Sequence, residues 1–216
     1  MRACHISDCH DVNIDLDNLV PNGIDILFIT GDMTYRGRPE ELSALLDQLT
    51  ILRARIKYII CVAGNHELGC EQDVHGWKEA FCRAGCVLLH HESIEIDGVK
   101  IFGSPYTPAF FDWAFMYDPK DASSYWDQIP SDTQVLLTHG PPYGILDKCP
   151  NGNVGCPTLR DKVLNDLPNL KYHMFGHIHP SFGKTEISGV EFSNGSIMND
   201  RYKPVYKPLT FDLKVK

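Results

Sequence analysis

Two histidines, His177 and His179, stand one residue apart in "HMFGHIHPSFG", where an apolar run gives out between Gly176 and Pro180. Extended chain points residues i and i+2 to the same side, so both imidazoles would reach one point with Ile178 turned away. Two imidazoles at a strand end can hold a metal ion. For a single H-x-H the plain alternative is a pair of loop histidines. Four other apolar runs end in the same manner, however. "ACHIS" runs into Asp8-Cys9-His10, "DILFIT" into Gly31-Asp32, "YIICVA" into Gly64-Asn65-His66-Glu67 and "VLLT" into His139-Gly140. Each taken alone reads as ordinary turn chemistry. Five apolar runs that all deliver Asp, Asn or His point to one shared site, because strands place loops and loops carry chemistry.

Asp8, Asp32, Asn65 and four imidazoles from these strand ends make a set of seven oxygen and nitrogen ligands. Two carboxylates bring negative charge, while the amide and the imidazoles coordinate as neutral groups. The set is too large for one small ion and suits two that share a carboxylate. Ions about 3.5–4 Å apart clamp the oxygens of an in-line phosphoryl displacement. With no thiolate in the set, manganese comes first, with iron or zinc as alternatives. Cys9 would face away from Asp8 and His10 in extended chain.

Positioning these residues takes parallel strands. Apolar β-rich runs alternate with helical patterns through the first half, most clearly at Pro39 to Arg53, where Leu42, Leu45, Leu46, Leu49 and Leu52 repeat at helical spacing. Helices are also expected over Val74 to Ala84 and Thr158 to Leu167. "VLLHHESIEI" reads as one strand, joined to "VKIFGSP" by the hairpin pair Asp97-Gly98. From Lys171 the pattern turns to strands: "KYHMFGH", "GKTEI", "VEFSNGSI" and "PLTFDLKV". Such an order gives parallel strands with helices on their faces and late antiparallel additions, hence an α/β fold on two packed sheets. Ligands in such sheets bind beyond the carboxyl ends of the strands.

The chain has 216 residues, 22% of them charged, with a formal net charge of −8. The length suits one domain over residues 1–216. The acids are spread and no basic face is evident, which argues against a partner of extended nucleic acid. No run approaches a membrane span and "MRACHISDCH" lacks the apolar stretch of a signal peptide, so a cytoplasmic protein with no membrane partner is expected. The eight cysteines show no zinc-ribbon spacing and are expected as free thiols.

"SDCH", "GD", "GNHE", "THG" and "GHIH", in that order, resemble the five signature blocks of the calcineurin-like metallophosphoesterases. Between the blocks, "DILFITGDMTYRG", "FGSPYTPAFFDWAF", "VLLTHGPPYGILD" and "FSNGSIMNDRYKPV" resemble the subgroup of metallophosphoesterase-domain-containing proteins, from about His5 to Leu213. The resemblance implies a four-layer α/β/β/α sandwich of two mixed β-sheets flanked by helices. It implies a first metal on Asp8, His10, Asp32 and His179, and a second on Asp32, Asn65, His139 and His177. A metal-bridging hydroxide would attack phosphorus, with His66 as the catalytic residue that protonates the leaving oxygen or steadies the transition state. Some animal members of the subgroup carry glycine at the first histidine of "GHIH"; this chain has His177. The "GDxxDRG" block of Ser/Thr protein phosphatases is absent, and "GDMTYRG" lacks the aspartate that orients the catalytic histidine there.

The expected activity is a phosphodiesterase on a small phosphodiester substrate such as a cyclic nucleotide. The alternatives are a nuclease or phosphomonoesterase of the same superfamily, or a non-catalytic binding scaffold. Asn194, in a turn resembling one at the family's pocket rim, is expected to touch substrate. Arg36 could reach a substrate phosphate or lie in solvent. Tyr106, Phe110, Phe111, Trp113 and Phe115 could wall the pocket for a stacked ring or lie in the core. His90 and His91 read as mid-strand residues with no role.

Overall fold

The computed structural model describes residues 1–10 and 13–214. Its strands, in chain order, are β1 (Arg2–Ile6), β2 (Ile26–Thr30), β3 (Tyr58–Val62), β4 (Val87–Leu89), β5 (Glu92–Ile96), β6 (Val99–Ser104), β7 (Thr107–Pro108), β8 (Met116–Tyr117), β9 (Val135–Thr138), β10 (Lys148–Cys149), β11 (Gly152–Asn153), β12 (Tyr172–Phe175), β13 (Gly183–Ile187), β14 (Val190–Asn194) and β15 (Leu209–Asp212). The α-helices are α1 (Leu16–Leu19), α2 (Pro39–Arg53), α3 (Leu68–Gln72), α4 (Val74–Arg83), α5 (Ala122–Trp126) and α6 (Pro157–Asp161). Val215, the last residue of "PLTFDLKV", lies outside the described residues.

Two sheets carry the molecule, in the orders β15-β1-β2-β3-β4 and β13-β14-β12-β9-β6-β5. Within the first, β1 to β4 run parallel and β15 pairs antiparallel with β1. Within the second, β14, β12, β9 and β6 run parallel, with antiparallel β13 and β5 at the edges.

Three apolar cores separate four layers. Ala3, Phe28 and Val62 on the first sheet meet Ile101, Val135 and Met174 on the second. Leu27, Ile29 and Cys61, on the other face of the first sheet, pack with Leu45 and Leu49 of α2 and Phe81 of α4. Phe102, Leu136 and Phe175 pack with Trp126 of α5 and Leu159 of α6. Strands buried on both faces explain the continuous apolar runs, since neither face can be polar. Each fully buried large side chain contributes about 1.5–3 kcal/mol. This is the two-sheet α/β/β/α arrangement.

The helix α2 spans the expected residues. Pro39 pre-sets its first turn, and the Glu41 carboxylate accepts from the main-chain N–H groups of Arg36 and Arg38. The helix read over Thr158 to Leu167 is α6 followed by a π-helical stretch, Lys162–Asp166.

"VLLHHESIEI" is not one strand. It divides into β4, in the first sheet, and β5, in the second, so the chain changes sheets at His90-His91. His91 makes the bend in the left-handed region at φ +54. No glycine or proline marks this turn in the sequence, so the stretch reads as one strand.

Candidate metal centre

β1, β2 and β3 lie side by side in the first sheet, and β9 and β12 side by side in the second. Their carboxyl ends deliver Asp8 and His10, Asp32, Asn65 and His66, His139, and His177 and His179 to one place. All are buried except the half-buried His177.

The backbone there is not extended. Asp8, His10, Asp32 and His177 all have positive φ, at +54, +50, +49 and +68. Side chains pay a steric penalty in this region, so such conformations persist only where surrounding bonds hold them, and they cluster at functional sites. The extended geometry expected for Asp8-x-His10 and His177-x-His179 is therefore corrected. His177 and His179 do not converge on one point. His179 closes a group with Asp8 and His10, while His177 closes a neighbouring group with Asp32 and His139. A third group, His10, Asp32 and His66, joins the two, and ligand-type atoms within each group lie within 4.8 Å of one another. Cys9 joins none of these groups and lies in the core against the first sheet.

Asp32 is the hinge of the arrangement. Its Oδ2 lies 3.6 Å from His10 Nε2 and 3.3 Å from His139 Nε2, while its Oδ1 accepts the His66 N–H at 2.8 Å. Asp8 Oδ1 lies 3.4 Å from His179 Nε2, and both Asp8 oxygens accept the His177 N–H at 3.0 and 2.9 Å. Asn65 Oδ1 lies 2.9 Å from His139 Nε2. The outer ring nitrogens are committed elsewhere: His139 Nδ1 donates to the Thr30 carbonyl at 2.8 Å, and His179 Nδ1 to the Asn199 carbonyl at 3.0 Å. Such bonds fix the tautomer and aim Nε2 inward, as metal-binding histidines require. Close approach requires glycine at two places. A Cβ on Gly64 would stand 2.3 Å from Asp32 Oδ1, and one on Gly176 would stand 2.2 Å from Asp8 Oδ2.

The cluster fits divalent cations. Its donors are oxygens and nitrogens alone, and His10 Nε2 and His179 Nε2 turn toward the same point, 3.1 Å apart. The electrostatics agree. Burial alone would raise Asp8, but the hydrogen bond and charge of His179 and the charge of His139 outweigh it and hold the carboxyl at about 2. Asp32 likewise overcomes burial through His139 and is held well below the usual range. Burial would lower His139, yet the charge and hydrogen bond of Asp32 carry it up to about 9. Burial pushes His10 down to about 4 and His177 to about 3. Two buried carboxylates thus draw positive charge into the cluster, which is the demand that bound cations would meet.

His66 Nδ1 donates to the Tyr35 carbonyl at 2.8 Å. A main-chain oxygen of "GDMTYRG" thereby orients the ring in the place of the missing aspartate. A face of the ring stacks on Trp113, centroids 4.4 Å apart. Glu67 does not touch His66. Its carboxylate accepts from the N–H groups of Asp32 at 2.9 Å, Thr34 at 2.9 Å and Gly64 at 2.6 Å, and from the Thr34 hydroxyl at 2.9 Å. Burial, then the charge of Asp32, raises Glu67 to about 7.

Asn194 is placed beneath the site rather than at its rim. Fully buried, its Nδ2 donates to the carbonyls of Ile178 and Leu146 at 2.8 and 3.2 Å and its Oδ1 accepts from Ser196 N–H. The expected substrate contact is corrected: with donors and acceptor used, the side chain braces the loop between His177 and His179. The aromatic stretch divides. Phe110, Phe111 and Trp113 line a cavity of about 560 Å³ above the cluster, whereas Phe115 lies in the core and Tyr106 packs against it. Arg36 lies exposed over Trp113, 5.6 Å from the ring centroid.

Tyr202, which sequence reasoning missed, stands with its ring 4.9 Å from that of His10 and 5.1 Å from that of His179. Its loop is shaped by Asn199, whose Oδ1 accepts from the N–H groups of Arg201 and Lys203. "MNDRYKP" carries only a turn signal, so nothing in its pattern distinguishes Tyr202 from any loop tyrosine.

The eight cysteines are free thiols, and among the described residues no helix is long and apolar enough to cross a membrane. The family model for calcineurin-like phosphoesterases matches residues 1–181. The chain is 33% identical to a UPF0046 protein of Caenorhabditis elegans over 100% of its own length and 76% of that protein's. It is 31% identical to metallophosphoesterase domain-containing protein 1 of Homo sapiens, covering 98% of this chain and 71% of that one. In three dimensions it is similar to the phosphopantetheinyl hydrolase of Mycobacterium tuberculosis, with a TM-score of 0.61 at 18% identity over 93% of this chain and 90% of that one, which is a likeness of fold. The family match and the near full-length relatives, added to two adjoining His/Asp clusters at the ends of paired parallel strands, place this chain in the calcineurin-like phosphoesterase family.

Proposed function

We propose that the chain is a phosphodiesterase that hydrolyses a small phosphodiester with two divalent ions, manganese foremost, held by Asp8, His10, Asp32, Asn65, His139, His177 and His179. One observation carries the reading: Asp32 sits between two groups of ligand-type side chains at the floor of an open cavity, with His66 beside it. Bound divalent ions would supply charge neutralisation and Lewis acidity at the phosphoryl oxygens. His66 contributes a proton. Its Nδ1 is fixed to the Tyr35 carbonyl, which leaves the other ring nitrogen to reach the ester oxygen that departs. Trp113 stacked on the ring holds its plane and screens one face from water. The aromatic rim favours organic substituents on phosphorus over a bare phosphate, so a small diester suits the cleft better than a monoester.

The test is turnover of bis(p-nitrophenyl) phosphate against p-nitrophenyl phosphate, before and after chelation and with manganese restored. The diester is expected to be preferred and turnover to return with manganese. His66→Ala is expected to keep its metal while its rate falls about 10²–10⁴-fold, with a smaller defect on nitrophenyl esters, whose leaving group departs without a proton. Loss of metal in His66→Ala would make His66 a ligand, and preference for the monoester would overturn the reading.

A further inference from the structure

Two cavities, not one, open onto the candidate metal cluster, each of about 560 Å³. They share His10, His66, Trp113 and Tyr202. Away from that shared edge, the first runs out between Phe110, Phe111, Val154 and Ile178. The second runs out between Tyr35 and Met198. Both are lined by rings and apolar groups, and among the described residues no lysine or arginine lines either one.

A phosphomonoester has one organic substituent and fills one cavity. A cyclic diester carries both ester oxygens on a single group and also fills one. A linear diester carries two separate groups on phosphorus, and its tetrahedral geometry sends them apart. With the phosphoryl group over His10, Asp32 and His66, one substituent enters each cavity. The flat walls say that each is ring-bearing, since stacked aromatic faces take a planar group at small cost in order.

Resting on the diester reading above, we infer that the substrate is a linear phosphodiester of two ring-bearing alcohols, one seated against Phe110 and Phe111 and the other against Tyr35 and Met198. Trp113 and Tyr202 stand at the edge that the two cavities share.

The experiment uses the manganese-loaded protein and three esters with one leaving group: p-nitrophenyl phosphate, methyl p-nitrophenyl phosphate and phenyl p-nitrophenyl phosphate. The phenyl diester is expected to exceed the methyl diester in kcat/KM by about 10-fold or more, the effect of burying one ring. Phe111→Ala and Tyr35→Ala then remove one wall from each cavity; the second leaves the main-chain carbonyl that holds His66. One of the two is expected to collapse the phenyl-to-methyl ratio. The other should depress both diesters alike, which marks the cavity that takes the leaving group. Equal turnover of the two diesters, or a ratio moved by both variants or by neither, would overturn the two-cavity assignment while the diester reading stands. Preference for p-nitrophenyl phosphate over both diesters would overturn the diester reading and this one with it.

Discussion

The floor and the rim of the cleft are built by different physics. On the floor, side chains are buried and their second polar atoms are tied to main chain: His139 to Thr30, His179 to Asn199, Asp8 to His177 and Asp32 to His66. On the rim, Phe111 is 76% exposed and Tyr202 52%, and their contacts are ring against ring. Directional bonds in a low-dielectric interior fix atoms to within tenths of an ångström and penalise any unpaired group. Ring contacts are shallow and tolerate displacement. Rate should therefore depend on the floor and substrate preference on the rim, and the Asn199 carbonyl is one junction between them, accepting from both His179 and the Tyr202 N–H.

The largest effect that would sharpen this contrast comes from Asp32→Asn. The substitution keeps the shape but removes the charge shared by two groups, so both metals and all turnover should be lost. Thermal stability in manganese should fall too, because an ion bound only by the folded state stabilises it by about 2.7 kcal/mol at a hundred times its dissociation constant. Elemental analysis and melting with and without manganese check this. A variant with two ions per chain and a normal rate would show that the bridge lies elsewhere.

A smaller effect is expected at Glu67, which touches no candidate ligand side chain yet holds the main chain of Asp32 and Gly64 together. Each of its oxygens accepts two donors: Oε2 from Asp32 and Gly64, Oε1 from both groups of Thr34. Glu67→Gln turns an NH₂ toward one of these pairs, whichever way the amide lies. Manganese affinity should fall about 10–100-fold, as for other supports of metal ligands. Excess manganese should restore most of the rate, and the phenyl-to-methyl preference should not change. A shifted preference with unaltered metal affinity would break the separation of floor from rim.

Much of the floor was legible in the sequence because its residues end buried strands, where apolar runs and their terminal Asp, Asn or His are both visible. The strands leading to Asp8, Asp32, Asn65, His139 and His177 all end within one residue of the apolar runs. Its geometry was less legible. Extended backbone was the natural expectation for Asp8-x-His10 and His177-x-His179, and the left-handed conformations that divide the ligands between two groups are imposed by tertiary bonds such as His177 N–H to Asp8. The change of sheet at His90-His91 escaped for the same reason, since His91 takes φ +54 without a glycine to announce it. The rim was hardly legible. Phe111 in the cleft and Phe115 in the core stand four residues apart in one aromatic run, and loop packing alone decides which is which.

The smallest expected effect lies beneath the floor, where His5 joins the sheets. Its Nδ1 pairs with the Ser193 hydroxyl and its Nε2 with the Thr30 hydroxyl, each at 2.9 Å, and Thr30 is the residue whose carbonyl holds His139. Burial, opposed by the charge of Asp8, pushes His5 down to about 3 from an ordinary 6.5. The unfolded chain therefore takes up this proton through pH 6.5, while the folded chain refuses it until about 3. Between those values the unfolded state binds more protons, so stability falls as pH falls, by up to about 1.4 kcal/mol per pH unit for each such group; above 6.5 the contribution is constant. His173, also held at about 3 by burial, adds a parallel loss, and Asp8 begins to contribute only below its ordinary 3.8. Subtracting the stability curve of His5→Gln from that of the parent cancels the terms the two proteins share. The difference should change by about 1 kcal/mol per unit between pH 6 and 4.5 and stay flat from 7 to 8. Denaturant unfolding at each pH measures it. A difference flat through the acid range would mean that His5 takes up its proton while folded, and that the floor rests on a looser base than its bonds imply.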